Sequence, residues 1–552
     1  MSVSRRGALA FFGAVPILGA VLADPARAAA EPSGSPSPTG GTADGAPGDV
    51  AAVQRWLNAT FGQLQGWQHV DEDGVAGAGT RTGVLQGAQS LLGITPLVPA
   101  YGPETRQRLR DHGPVRLDGD QDAAAWCSLV QAGLICAGGA GARVTGDWDD
   151  ASRRALDAYR ADLGAPTADP TRGAEVSPAL FAALFTVGAA TLVPGGSTEV
   201  RAVQQYLNRT AAEVPGGAYC GTGGVADVPT GGAVVRALQS AIGVQDVDGV
   251  WGPATAAALR AATQATVRPG DTGSWAQLAA GLLVLNGVHV PFDAAWSAVD
   301  VESMRQFQAF QAFEPAAQTG VCDPASWAAL AVSCGDADRP VTGADTATRL
   351  TADQAAAIRA SGVSLVGRYL TDEQVPGALD KALTPSELDV LASACLRLWP
   401  IFEEGGYEAS WFSRDQGVRD AERAHDAARA LGIPKQTTIS FAVDYDATAD
   451  DVADRVLPYF RGVAAGLRAR GDEYHPGVYG SRRTCAAVAH AGLAHHSFVA
   501  GMSTGWEGNV LRPLPDDWAF NQIQTRTVGQ GAGRVEIDAV VVSGRDLGVQ
   551  LH

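Results

Sequence analysis

Two hydrophobic periods divide this chain. As far as Cys334, apolar residues recur at intervals of three and four, the spacing of one helix face: Val50, Val53 and Leu57, then Val200, Val203 and Leu207. Asp49 and Thr198 stand where N-caps belong. Pro103 and Pro253 open further helices at the first position, where a missing N–H costs nothing. The helical stretch also repeats itself. Val53-Gln54-Arg55-Trp56-Leu57-Asn58 returns 150 positions later as Val203-Gln204-Gln205-Tyr206-Leu207-Asn208. Gln89-Ser90 returns as Gln239-Ser240, and Gly102-Pro103-Glu104-Thr105 as Gly252-Pro253-Ala254-Thr255. Each copy has two halves: Trp126 and Trp148 are matched by Trp275 and Trp296, and Ser177-Pro178 by Asp323-Pro324. Four helical modules are therefore predicted, over 49–113, 114–190, 197–265 and 266–335, the second a degenerate copy.

From Pro340 the period changes. Short strand-like runs end near Asp345, Leu370, Glu403, Asp446, Gly480, Ser503, Gln524 and Val540, with helical stretches such as 351–361, 384–397, 414–431, 450–470 and 482–491 between them. Strand–helix alternation of this kind predicts parallel strands. Eight of them fit a compact barrel over 340–552. The fold class expected is a multidomain chain, all-α modules followed by a (β/α)8 TIM barrel. No Gly-rich phosphate fingerprint follows the first strand, which argues against dinucleotide binding.

The strand-like runs keep ending in acids. A barrel of parallel strands presents its site at their C-terminal ends, and paired carboxyl groups are the usual machinery for breaking glycosidic bonds. The candidate catalytic residues are Glu403, Asp444, Asp446, Asp538 and Asp345. Glu403 or Asp446 suits the acid, Asp444 the base or nucleophile, and Asp345 and Asp538 orientation of substrate. Arg368, Tyr479, Trp506, Gln522 and Gln524 are the candidate substrate-binding residues. Glu404 is expected to point away from Glu403, because neighbours at a strand end face opposite sides. Asp372 and Glu373 read as solvated loop residues.

Composition narrows the setting. A net charge of −18 argues against nucleic acid and anionic membrane surfaces as partners. Ser4-Arg5-Arg6, an uncharged run over 7–23 and Ala26-Arg27-Ala28 read as a twin-arginine export signal over 1–30. A Pro-, Gly- and Ser-rich linker follows over 31–48. No other run is apolar enough to cross a bilayer, so after cleavage an extracellular or wall-associated monomer is expected. Seven cysteines suit that compartment, and local disulfides are plausible for Cys127 with Cys136 and Cys322 with Cys334. The nine histidines show neither H-x-H nor H-E-x-x-H spacing, so no metal or other cofactor is expected, and His495 and His496 read as exposed loop residues.

Two resemblances sharpen the reading. Asp248-Gly249-Val250-Trp251-Gly252-Pro253-Ala254-Thr255 resembles the D-G-x-aromatic-G-P-x-T turn of bacterial peptidoglycan-binding domains, in which three short helices enclose a small core. Val366-Gly367-Arg368-Tyr369-Leu370, Phe441-Ala442-Val443-Asp444-Tyr445-Asp446, Gly477-Val478-Tyr479-Gly480-Ser481, Gly501-Met502-Ser503-Thr504-Gly505-Trp506 and Glu536-Ile537-Asp538 together resemble a bacterial family of exported glycoside-hydrolase-like domains of unknown function, similar in fold to N-acetylmuramidases. That resemblance spans 342–548 and implies a barrel, export, and peptidoglycan or another wall glycan as partner. Related muramidases carry Asp-x-Glu on the fourth strand, where this chain has Asp444-Tyr445-Asp446. The shorter side chain withdraws the carboxyl, and a misplacement of about 1 Å costs roughly a hundredfold in rate. Either the geometry is rebuilt around Glu403, or the barrel binds glycan without cleaving it.

Overall fold

A computed structural model describes residues 48–119, 121–139, 141–166, 174–373 and 377–551. The expected export signal and nearly all of the linker lie outside the described residues. These form two compact units, one of 48–225 and 229–250, the other of 226–228 and 251–551.

The first unit is built mainly of helices, among them Val50–Phe61, Ala78–Leu91, Pro103–His112, Gln121–Cys136, Asp150–Leu163, Pro178–Thr186 and Thr198–Ala211. Asp49 caps the first by accepting from the Ala52 amide, but the cap at the last is Ser197 and not Thr198. The unit is not all-α: β1 (Val115–Arg116) pairs antiparallel with β2 (Glu175–Val176). Its loops are held by buried glutamines. Gln54 accepts from the Gly74 amide at 2.8 Å and donates to the Val75 carbonyl and the Thr80 hydroxyl, both at 3.0 Å. Gln204 makes the same three bonds to Gly224, Val225 and Thr230 at 3.0, 2.9 and 3.0 Å. Gln131 does so to Gly146, Asp147 and Ser152. One carboxamide thus supplies an acceptor and two donors to a loop whose backbone groups would otherwise be stranded. Gln239 grips the Gly249 amide and the Val250 carbonyl, and also donates to Asp248. The Asp-Gly turn that carries the first resemblance is therefore a loop clamp.

Neither Cys127 with Cys136 nor Cys322 with Cys334 forms the local disulfide expected of it. Cys127 and Cys136 sit on one helix, nine residues apart, a rise of about 13 Å. A disulfide tolerates roughly 7 Å between Cα atoms.

In the second unit, helices Ser274–Leu285, Ala298–Phe310 and Pro324–Ala331 precede a closed barrel. Its strands are β3 (Gly343–Asp345), β4 (Leu365–Tyr369), β5 (Arg397–Phe402), β6 (Thr438–Ala442), β7 (His475–Gly480), β8 (Ser497–Val499), β9 (Trp518–Val528) and β10 (Val535–Val542), in the order β10-β3-β4-β5-β6-β7-β8-β9. The strands from β3 to β9 run parallel, but β10 runs antiparallel to both β3 and β9. This overturns the expected (β/α)8 TIM barrel preceded by all-α modules. The cause is connection length. A parallel crossover needs a dozen or more residues, and only the stretch from Gly529 to Arg534 joins β9 to β10. No α-helix lies between β8 and β9 either, only the 3-10 turn Glu507–Asn509.

Side chains alternate across the barrel wall. Leu365, Tyr369, Trp399, Ile401, Ala442, Tyr479, Phe498, Phe520 and Val540 form one cluster. Val366, Leu398, Phe402, Ile439, Phe441, Val478, Val499 and Ile537 belong to another, shared with the surrounding helices. The first fills the interior, with Trp399 stacked on Phe520 at 4.5 Å between centroids, so a site has to lie at a barrel end. The chain's last residues strap the N-terminal end. Arg397 donates to the Leu547 and Gly548 carbonyls at 2.6 and 2.8 Å, and Val549 bridges to Leu398. His496 meets Asp546 at 3.0 Å and is buried, contrary to its reading as an exposed residue.

Gln204→Met keeps the side chain's length but removes its three loop bonds. The expected loss is about 2–3 kcal/mol, an order of magnitude set by stranded polar groups, with faster hydrogen exchange at Gly224. Unchanged exchange there would contradict the clamp. Burial pushes the Asp546 carboxyl up, but His496 and the Gly548 amide outweigh it and hold it below its usual range. Such a group adds stability above its unfolded value and loses it as pH falls through the folded one. Melting temperatures of Asp546→Asn are therefore expected below wild type near neutrality and to converge on it below about pH 4. A constant offset at every pH would contradict that role.

Candidate functional site

The inward-facing side chains beyond the aromatic layer gather in two clusters. The first lies on the seam where β10 meets β3. Asp345 and Asp538 are direct cross-strand partners. Gln522 on β9 donates to both, at 2.8 Å to Asp345 and 3.1 Å to Asp538. The two carboxylate oxygens it bridges therefore lie within about 6 Å of each other. Tyr479 on β7 donates to the Gln522 carbonyl oxygen at 3.0 Å, fixing which way the amide points. Thr525 completes the set by donating to Asp538 at 2.6 Å. Asp345 is wholly buried, and Asp538 is partly exposed.

The second cluster surrounds Glu403, the residue that follows β5. Lys381 donates to its Oε2 at 2.7 Å, lies 3.6 Å from Glu373 and sits over the Tyr369 ring at 4.5 Å. Tyr407 donates to Glu373. Its hydroxyl is pushed well up by burial, then by the charge of Glu403, the Glu373 bond and Asp444. Asp444 follows β6, and its amide donates to the Gly406 carbonyl at 2.9 Å. Two aromatic side chains stand near this end: Trp506 packs part-buried on the interior layer, and Tyr407, bonded to Glu373, is 44% exposed.

Four of the acids and polar groups singled out from the sequence do other things. Arg368 faces out of the barrel and is fully buried there. It pairs with Glu387 through two bonds at 2.8 and 3.2 Å and donates to the Thr346 and Lys381 carbonyls. Gln524 also leaves the interior. A bulge shifts the register between Ala539 and Val540, so that Ala539 pairs with Gln524 and Val540 with Gln522. The bulge turns Gln524 to the outer face and brings Thr525 inward. Asp446 accepts the Glu507 and Gly508 amides at 2.6 and 3.0 Å and so anchors the turn after β8. Glu404 points outward to Arg423, and burial raises its carboxyl.

Three residues at the site escaped sequence reasoning: Lys381, Glu373 and Tyr407. Lys381 carried one signal, being one of only two lysines in the chain. Asp372, read as solvated, instead accepts the Lys381 and Ala382 amides, each at 2.7 Å. Among the described residues no group of three or more His, Cys, Asp or Glu has the arrangement of a metal site. The chemistry on offer is that of carboxylates, an ammonium, an amide and phenols.

Comparison with known proteins places this geometry. Residues 356–542 match the Rv2525c-like, glycoside hydrolase-like domain, and residues 193–331 match the FadG/YbfG, PGDB-like domain. The chain is 34% identical over 508 residues to the uncharacterized protein FadG of Bacillus subtilis, covering 91% of this chain and 85% of that protein. It is 35% identical over 513 residues to the uncharacterized protein YbfG of the same organism, covering 90% and 68%. Among solved structures, that of the Mycobacterium tuberculosis Tat-secreted protein Rv2525c with HEPES is 22% identical, covers 37% of this chain and 96% of that one, and gives a TM-score of 0.31.

Glu387→Gln removes the charge opposite Arg368 while both side chains stay buried. An uncompensated buried guanidinium is expected to cost about 3–5 kcal/mol, read as a lower denaturation midpoint for the barrel unit. A shift within the error of wild type would mean that the pair carries little.

Proposed function

Because the chain belongs to the family of FadG and YbfG, carrying a glycoside hydrolase-like domain behind the PGDB-like one, we propose that it is an exported protein that binds peptidoglycan or another wall glycan and hydrolyses it at the barrel mouth. The observation that carries this reading is that Asp345, Asp538, Glu403 and Asp444 lie on the inner side of one barrel end, where β3, β5 and β6 finish, with Trp506 packed on the interior aromatic layer. Aromatic rings of that kind offer apolar faces with a polar edge, which suits pyranose rings.

Hydrolysis needs a proton for the leaving oxygen, a carboxylate on the other side of the sugar, and water. Like charges within about 6 Å of each other, as on Asp345 and Asp538, repel, which favours a proton on one of the two; that pair supplies the acid. Glu403, held against an ammonium, supplies the carboxylate, with Asp444 beside it. The proton passes from the pair to the glycosidic oxygen as the C–O bond breaks, water attacks the anomeric carbon and gives its proton to Glu403, and that proton returns to the pair through solvent. The helical modules would tether the protein to the wall. Arg5-Arg6 supports export by the Tat route, and among the described residues no helix is long and apolar enough to cross a membrane.

One observation favours a second reading. Asp446 occupies the place of the muramidase acid, yet its carboxylate is taken by two backbone amides. A barrel that binds wall glycan without cleaving it would need no free acid there.

Incubation of the purified full chain with wall sacculi, followed by mass analysis of soluble fragments, separates the readings. Release of glycan fragments is expected, reduced about a hundredfold or more in Glu403→Gln, the usual scale for losing a positioned acid or base. Retention on sacculi with no release across a broad pH range would leave the binding reading. Neither retention nor release would remove both.

A further inference from the structure

We propose that Lys381 is the positioning residue of this site, holding Glu403 anionic and fixed, so that Glu403 serves as the carboxylate and not as the proton donor. The inference rests on the reading of Glu403 as a working carboxylate, but its observations are independent of any glycan.

The Lys381 ammonium is buried beside an equally buried carboxylate, 2.7 Å away. Taking such a pair out of water is costly, and an apolar pair of similar size is often as good for the fold. The chain makes that sacrifice once with its scarcest cation: its other lysine, Lys435, is exposed and pairs with Glu473. The backbone around Lys381 is also fixed from several directions. Asp372 accepts from the Lys381 and Ala382 amides, Arg368 donates to the Lys381 carbonyl at 3.0 Å, and the Leu383 amide donates to the Tyr369 carbonyl at 2.8 Å. The ion pair of Arg368 and Glu387 on the outer face therefore aims an ammonium on the inner face. The Tyr369 ring under the ammonium adds a cation–π contact. A lysine suits this place, since its compact charge reaches one oxygen without the fork that would span two.

Among the described residues, the charged and titratable groups near Glu403 include Lys381, Glu373, Tyr407 and Asp444. Glu404 faces the opposite side, toward Arg423. Lys381 is the cation that meets the Glu403 carboxylate, and its removal takes that ion pair away. An anionic Glu403 accepts a proton or faces developing positive charge; it does not deliver a proton.

The test is infrared titration of the full chain labelled with carboxyl-13C glutamate, with Glu403→Gln subtracted to isolate the Glu403 band. In wild type the carboxylate band is expected to persist below the ordinary glutamate range. In Lys381→Met it should vanish at a pH at least one unit higher, about a tenfold change in the ionisation constant, and Lys381→Arg should restore most of it. Glycan release should fall in Lys381→Met through kcat more than KM. Equal titration in wild type and Lys381→Met overturns the proposal. If Lys381→Met does not fold, Lys381→Gln makes the same comparison. If neither folds, a wild-type Glu403 that stays protonated above the ordinary range overturns it. A low Glu403 titration that depends on Lys381, without any glycan release, refutes the hydrolase reading alone. Release with independent titration refutes the role of Lys381 alone.

Discussion

Closure of the barrel rests on the hydrogen-bonded ladders that β10 makes with β3 on one side and β9 on the other. Because β10 enters by a hairpin, it runs against its neighbours, and its early residues lie where its neighbours end. That direction puts Asp538 opposite Asp345 and within reach of Gln522. A parallel last strand entering from the other end would reverse its residue order along the barrel axis. The seam cluster thus follows from a backbone constraint: the link between β9 and β10 is too short for a crossover.

The aromatic layer imposes the second constraint. Trp399, Phe498 and Phe520 fill the interior, and the C-terminal strap crosses one end. Polar side chains of the inner face are left the other end, beyond the layer. There each acid has a defined neighbour: an amide for Asp345 and Asp538, an ammonium for Glu403, two backbone amides for Asp446. Those neighbours differ, so acids of similar type are suited to different work. The outer face follows the same logic, since Arg368 and Glu387 join β4 to its helix and also orient the loop that carries Lys381.

Much of this was legible in the sequence. Position at the strand ends marked Glu403, Asp444, Tyr479 and Asp538 for the barrel mouth, and alternation put Glu404 on the other side of the wall from Glu403. Arg368 was expected at the mouth, but in the structure it alternates with the inward Tyr369 and faces out to Glu387. Gln524 was misassigned because a bulge has no sequence signal strong enough to break the alternation. The direction of β10 was readable from loop length alone and was missed because strand–helix alternation elsewhere set the expectation. Lys381 lies in a loop, where no periodicity indicates what a side chain meets. The Gln clamps of the helical unit show the converse: the repeated Gln54 and Gln204 were visible as a pattern, and only the hydrogen bonds reveal why glutamine is needed there.

The central claim is that one barrel end gathers these acids around a sugar. A crystal structure of Glu403→Gln soaked with a wall-derived tetrasaccharide tests it most directly. The expected result is a pyranose ring against Trp506, with sugar oxygens at hydrogen-bonding distance, about 3 Å, from Asp538 and residue 403. Oligosaccharide bound elsewhere, with this end of the barrel empty, would contradict it.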